Sequence, residues 1–319
     1  MSHYIIFVLI VFGLIACGKD SLRDITEQDF QPGAETGIFN VSQSECELMM
    51  YRKIIIKESP VGCERLKKVV FDFYPLLEDS DIAGALNSEH DLKNKNDTNR
   101  QKGAIIVLDV VADNVLALFG ELYQRQFPIK SAIPIEYFSK KERKTEDMNN
   151  SLAFDSRPIT DGSKWSEHAY GVAIDINPMQ NPYLYIDKSS KPILIPKNTK
   201  EGYLNRAKYR AGKPVRAGMS EDVTSLFAMY GFAVWGGDWD VPIDYMHFQV
   251  GSRHFIEHLV ALPIEQARLL FENYTSQLRQ CFEHGESISD ANFLRKYCVD
   301  KVSAAFEPRQ DKVKGTSNI

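Results

Sequence analysis

Residues 170–177 read Tyr170-Gly171-Val172-Ala173-Ile174-Asp175-Ile176-Asn177, and residues 246–250 read Met246-His247-Phe248-Gln249-Val250. Both stretches alternate with a period of two. Val172, Ile174 and Ile176 fall on one side of the first, with Ala173, Asp175 and Asn177 on the other. In the second, Met246, Phe248 and Val250 oppose His247 and Gln249. Successive side chains of a strand point to opposite faces, so two strands hide their apolar faces and present Asp175 and His247 on the opposite one. A sheet displays a metal site in this way.

Working outward, Glu221 to Tyr230 reads as a short helix before the turn Trp235-Gly236-Gly237, and from Ser252 the pattern is helical to about Phe306. Upstream, Ala104 to Leu108 and Ile133 to Phe138 are strand candidates. Val111, Val115, Leu118 and Leu122 recur at helical spacing and stop before Phe127-Pro128. Residues 139–165 form a long loop, and loops of that length in a compact domain are functional or disordered. From Ser44 to about Leu77, two periodic apolar stretches flank Ser59-Pro60-Val61-Gly62 and predict two helices. Asn87 to Lys102 is a polar, charged loop, and no internal repeat occurs.

Of 319 residues, 44% are apolar and 25% charged, enough for a sizeable core. The net charge of −5 provides no basic field for nucleic acid. The apolar run Tyr4 to Ala16 is too short to span a membrane and suits a signal-peptide core. It ends in Leu14-Ile15-Ala16-Cys17, which resembles the lipobox of bacterial lipoproteins, in which the Cys is lipidated. With Gly18 next, rather than the Asp linked to inner-membrane retention, the resemblance implies an exported protein anchored in the cell envelope. Its expected place is the periplasmic face of the outer membrane. The remaining cysteines, Cys46, Cys63, Cys281 and Cys298, are even in number, and each consecutive pair is 17 residues apart. Three connectivities are possible, and Cys46–Cys63 with Cys281–Cys298 is the favoured one.

The central segment Ser166-Glu167-His168-Ala169-Tyr170-Gly171-Val172-Ala173-Ile174-Asp175 is followed by Trp235-Gly236-Gly237-Asp238-Trp239 and then by Asp244-Tyr245-Met246-His247-Phe248. Together these resemble the zinc D-alanyl-D-alanine carboxypeptidases, a family that includes vancomycin-resistance carboxypeptidases and L-alanyl-D-glutamate endolysins. Their pattern is SxHxxGxAxD, followed by an acid three residues before a second His. The resemblance extends over roughly residues 103 to 250. It implies an α+β fold, a small, mainly antiparallel sheet flanked by helices, here with N-terminal and C-terminal helical extensions. The expected division is a lipoprotein signal peptide (1–16), a tether (17–43), an N-terminal helical region with a polar loop (44–102), a zinc peptidase domain (103–251), a C-terminal helical extension (252–306) and a polar tail (307–319).

The chemistry agrees with the resemblance. A hydrolytic zinc ion takes three N or O ligands and keeps one open position. His168, Asp175 and His247 supply that set for one Zn2+. The ion lowers the pKa of water from 15.7 to roughly 7 and polarises a carbonyl. Asp244, three residues before His247, is placed to act as the general base. By resemblance, Arg157 binds a substrate carboxylate, which its fork matches, and Ser166 binds substrate or fixes its loop. Trp239 either walls the cleft or packs in the core. The expected substrates are peptidoglycan stem peptides, cut as a D-alanyl-D-alanine carboxypeptidase or as an L-alanyl-D-glutamate or D,D-endopeptidase. The alternative is a catalytically silent peptidoglycan-binding lipoprotein. His254-Phe255-Ile256-Glu257-His258 also matches HxxEH, the inverted zinc-protease motif, but so short a pattern arises often by chance and reads as a helix face. His90 and His284 lie in polar segments and need no function.

Overall fold

The computed structural model describes residues 22, 25–77, 100–144, 148–159, 162–285 and 288–307. The signal segment 1–16, Cys17, His90 and residues 308–319 lie outside the described residues. Among those described, no helix is long and apolar enough to cross a membrane.

The first sheet has the order β1 (Gly37–Asn40), β2 (Leu66–Pro75), β3 (Gln101–Leu108), with β4 (Pro128–Ile129) pairing in parallel with the end of β2. β1 and β3 both run antiparallel to β2. Helix α1 (Gln43–Tyr51) opens with a capping box between Ser42 and Glu45. Helix α2 (Ala112–Gln124) buries Ala112, Val115, Leu118, Phe119 and Leu122, one stripe at helical spacing, and Phe119 stacks on Phe71 of β2 at 3.8 Å.

Three expectations change here. The second helix predicted before Leu77 is the strand β2. Val69, Val70 and Phe71 are buried in succession because this central strand is covered on both faces, and β-branched and aromatic residues suit that setting. Ile133 to Phe138 forms no strand. Pro134, which lacks an N–H, precedes a 3₁₀ turn at Ile135–Tyr137. The tether is shorter than residues 17–43, because β1 pairs with β2 and Phe30 is buried against Tyr137, ring centroids 5.0 Å apart. The loop 139–165 carries one short helix, α3 (Lys140–Lys144).

Two smaller sheets carry Asp175, His247 and Asp244. One has the order β5 (Ala173–Asp175), β10 (His247–Gln249), β8 (Val234–Trp235). The other is β7 (Pro192–Ile195), β6 (Tyr183–Ile186), β9 (Ile243–Asp244). Helix α4 (Thr224–Met229) precedes β8. The C-terminal helices are α5 (Arg253–Ala261), α6 (Ile264–His284) and α7 (Ala291–Phe306). They close over the same core: Phe255, Phe271, Tyr274, Leu278 and Val302 belong to one apolar cluster with Phe227 and Phe248. Cys46 is bonded to Cys63 and Cys281 to Cys298, the favoured pairing. The fold is α+β, as expected.

Candidate metal centre and its cleft

His168 lies in a 3₁₀ turn, Glu167–Tyr170, and the Ser166 hydroxyl accepts from the His168 N–H at 3.4 Å. The turn ends at Gly171 with φ +69°, where a Cβ would stand 2.6 Å from the Leu108 nitrogen. Glycine is required for this close approach, and Leu108 N donates to Gly171 O at 2.9 Å. The chain then enters β5, where Asp175 sits directly opposite His247 of β10. Leu152 pairs with the other side of Asp175 through two backbone bonds of 3.0 and 2.8 Å. The period-two pattern thus places both side chains on one face with backbone support on either side.

Three atoms converge. His168 Nε2 is 3.1 Å from His247 Nδ1 and 3.2 Å from Asp175 Oδ1, and His247 Nδ1 is also 3.2 Å from Asp175 Oδ1. A tetrahedral zinc with bonds of about 2.0–2.1 Å sets its donors about 3.3–3.4 Å apart, so the triangle fits such an ion. The outward ring nitrogens have partners. His168 Nδ1 donates to Ala153 O at 2.6 Å, and His247 Nε2 donates to Gln249 Oε1 at 2.9 Å. The Gln249 amide is held in turn by its donation to Gly251 O at 3.2 Å. These bonds assign the tautomers and leave His168 Nε2 and His247 Nδ1 as lone-pair donors.

Electrostatics favour a cation at the same point. Burial raises the Asp175 carboxyl, but the two imidazoles outweigh it and keep Asp175 ionised. Burial pulls His247 down, while the hydrogen bond and charge of Asp175, with Asp244 and Gln249, bring it up to about 9. A metal ion bound here would displace that proton.

Asp244 is held on β9 opposite Tyr183 of β6. Gly236 packs against it so closely that a Cβ there would lie 2.5 Å from Asp244 O and 2.8 Å from its Cβ. Asp244 Oδ1 is enclosed and has no hydrogen-bond partner among the described residues. Burial and then the charge of Asp175 push its pKa up to about 7, against the pull of His247, His168 and Arg157. A carboxylate with an enclosed, unpartnered oxygen and a pKa near neutrality suits a proton acceptor.

Other residues singled out by sequence fall as follows. Arg157 stands on the cleft wall, half exposed and bonded to Asp155 at 3.1 Å. Ser166 lines the cleft and caps the metal turn. Trp239 is half-buried beside His247, ring centroids 5.5 Å apart, so it walls the cleft. Asp238, the neighbouring carboxylate, is bound through both oxygens to Arg295 of α7 at 2.8 Å each. His254 and His258 lie one turn apart on α5, ring centroids 6.4 Å apart, and among the described residues no third ligand joins them. Among the described residues, the group able to hold a metal is His168, Asp175 and His247.

Sequence reasoning missed four contributors. Gln249 lies on the polar face of its strand, so its alternation was a usable signal. Ala153, Gly236 and Arg295 act through contacts that no local pattern reveals. The C-terminal helices supply two contacts: Arg253, a fifth contributor, pairs with Glu167 in the turn that holds His168, and Arg295 pairs with Asp238 in the turn that packs on Asp244. Arg295→Met should cost about 1.5–3 kcal/mol and lower turnover with it, checked by denaturant melts and rate measurements. Wild-type stability and rate in that variant would show that the Asp238 pair does not support the turn.

Arg157, Ser166, His168, Asp175, Asp244 and His247 line one cleft of about 840 Å³. A family model described as D-alanyl-D-alanine carboxypeptidase matches residues 160–250, less than a third of the chain. That stretch contains Ser166, His168, Asp175, Asp244 and His247, but not Arg157. No curated protein and no solved structure matches the chain.

Proposed function

We propose that this protein is a zinc-dependent peptidase of peptidoglycan stem peptides, acting as a D-alanyl-D-alanine carboxypeptidase or as an L-alanyl-D-glutamate or D,D-endopeptidase. One observation carries the reading. Inside the matched segment, a three-donor triangle with tetrahedral spacing lies in the same cleft as Asp244, whose enclosed Oδ1 has no partner among the described residues.

His168, Asp175 and His247 would hold the ion. When bound, zinc supplies Lewis acidity that polarises the scissile carbonyl and acidifies water. Asp244 accepts the proton of the attacking water and delivers it to the departing amine. Arg157, on the wall of the same cleft, orients a substrate carboxylate, and Trp239 shields His247 from bulk water. A silent binding protein is the weaker reading, because both the donor set and the base are intact. The Cys17 lipobox and the two disulfides support an exported, lipid-anchored protein in the cell envelope.

The test is digestion of purified muropeptides by the zinc-loaded protein with products identified by mass. Loss of one terminal alanine marks a carboxypeptidase, and cleavage within the stem marks an endopeptidase. Intact muropeptides at high enzyme concentration would remove the proposal.

A further inference from the structure

The cleft has a second wall, built outside the segment that the family model matches. Arg52 and Lys53 follow α1, and Lys140 and Arg143 lie on α3; all four line the same cleft as the metal centre. Arg143 Nη2 donates to Arg52 O at 2.9 Å, which ties α3 to the end of α1, and Arg52 Nη2 donates to Ile25 O at 2.5 Å. Lys53 occupies a left-handed conformation, φ +58°, that non-glycine residues adopt rarely. That turn ends α1, with Lys53 N donating to Met50 O at 3.1 Å and Ile54 N to Met49 O at 2.8 Å, and leaves Lys53 on the cleft.

Among the described residues, these cations lack an anion of their own. Neither guanidinium is bonded to a carboxylate among the described residues, and the Nε of each is enclosed without a partner. Burial disfavours the Arg143 cation, and Arg52 adds to that against the opposing charge of Asp155. The carboxylates nearby are engaged: Asp155 with Arg157, Glu167 with Arg253, and Glu142 with Ser139. Arg52 and Arg143 are half-buried, whereas Lys53 and Lys140 are exposed, and like charges held in a half-buried pair are costly unless a counter-charge joins them. Planar guanidinium groups match a carboxylate. A cleft of about 840 Å³ is near the upper end of the roughly 300–1,000 Å³ range of small-molecule sites and exceeds what a terminal dipeptide fills.

The geometry points to a subsite in which Arg143, with Arg52, Lys53 and Lys140, holds a side-chain carboxylate of the substrate remote from the bond that is cut. This rests on the peptidase reading in its D-alanyl-D-alanine form and deepens it: the substrates selected are acidic peptides, gripped at two places. The metal centre and Arg157 take the end to be cleaved, and the basic wall takes the acid further along.

The test uses two pentapeptides ending in D-alanyl-D-alanine, identical except for glutamate or glutamine at the second residue. With the zinc-loaded full chain, kcat/KM for the glutamate peptide should exceed that for the glutamine peptide by about 10- to 100-fold, the scale of a charge-assisted bond. In Arg143→Gln the ratio should fall toward one, and Arg143→Lys should restore part of it. A ratio is insensitive to the amount of folded protein, so partial misfolding does not imitate the effect. A wild-type ratio near one, or a ratio unchanged in Arg143→Gln, overturns the subsite. If neither peptide is cleaved, the same ratio is read from calorimetric dissociation constants. Selective binding without cleavage faults the peptidase reading and keeps the subsite, whereas cleavage without selection does the reverse.

Discussion

Alanine at position 168 should leave a folded protein that no longer retains stoichiometric zinc. His168 Nε2 is one corner of the donor triangle, 3.1 Å and 3.2 Å from the other two, and removing it leaves two donors where hydrolytic sites need three. Loss of a partner outside the coordination shell alone costs about 10- to 100-fold in metal affinity, so loss of a ligand should cost more. The variant also leaves Ala153 O without its donor, a stability loss of about 1–3 kcal/mol for a buried acceptor. Elemental analysis of the purified variant, with a thermal melt to verify folding, gives the answer. One zinc per folded chain would mean that the metal lies elsewhere.

Asp244→Asn should do the opposite, keeping zinc and losing turnover. The substitution preserves size but removes the proton acceptor, and general-base contributions are about 100- to 10,000-fold. Asp244→Glu should keep part of the activity. In the wild type the base works only when ionised, so the rate should rise with pH through the Asp244 titration. That titration lies at about 7 in the protein alone, and the charge of a bound cation moves it lower. The pH–rate profile should therefore show an acid limb. If the Asn variant hydrolyses muropeptides near the wild-type rate, Asp244 is not the base. Asp238 is a poor substitute, since Arg295 holds both its oxygens. Loss of zinc in the Asn variant as complete as in the His168 variant would instead place Asp244 among the ligands.

The metal donors were legible because their cause is local. Alternation of Val172, Ile174 and Ile176 with Asp175 sets the face that Asp175 occupies, and the register His247↔Asp175 completes the pair. The helix α2 was legible for the same reason, from its stripe at helical spacing. β2 was misread because a strand covered on both faces loses its alternation: Val69, Val70 and Phe71 look like any short apolar run. The run Ile133 to Phe138 has strand composition, but Pro134 and the burial of Ile135 and Phe138 made a turn of it. The basic wall was invisible for a third reason. Arg52 and Arg143 are 91 residues apart in sequence and become neighbours only when α3 docks on the end of α1.

The contacts from α5 and α7 also make the cleft depend on the far end of the chain. Arg253 and Arg295 follow the three candidate donors and Asp244 in the sequence, yet they pair with Glu167 beside His168 and with Asp238 in the turn that packs on Asp244. A chain cut after residue 251 would keep each of those chemical groups and lose what braces them. Since the Cys281–Cys298 bond ties α7 to α6, a reductant that opens it would loosen the Arg295 contact from outside the cleft.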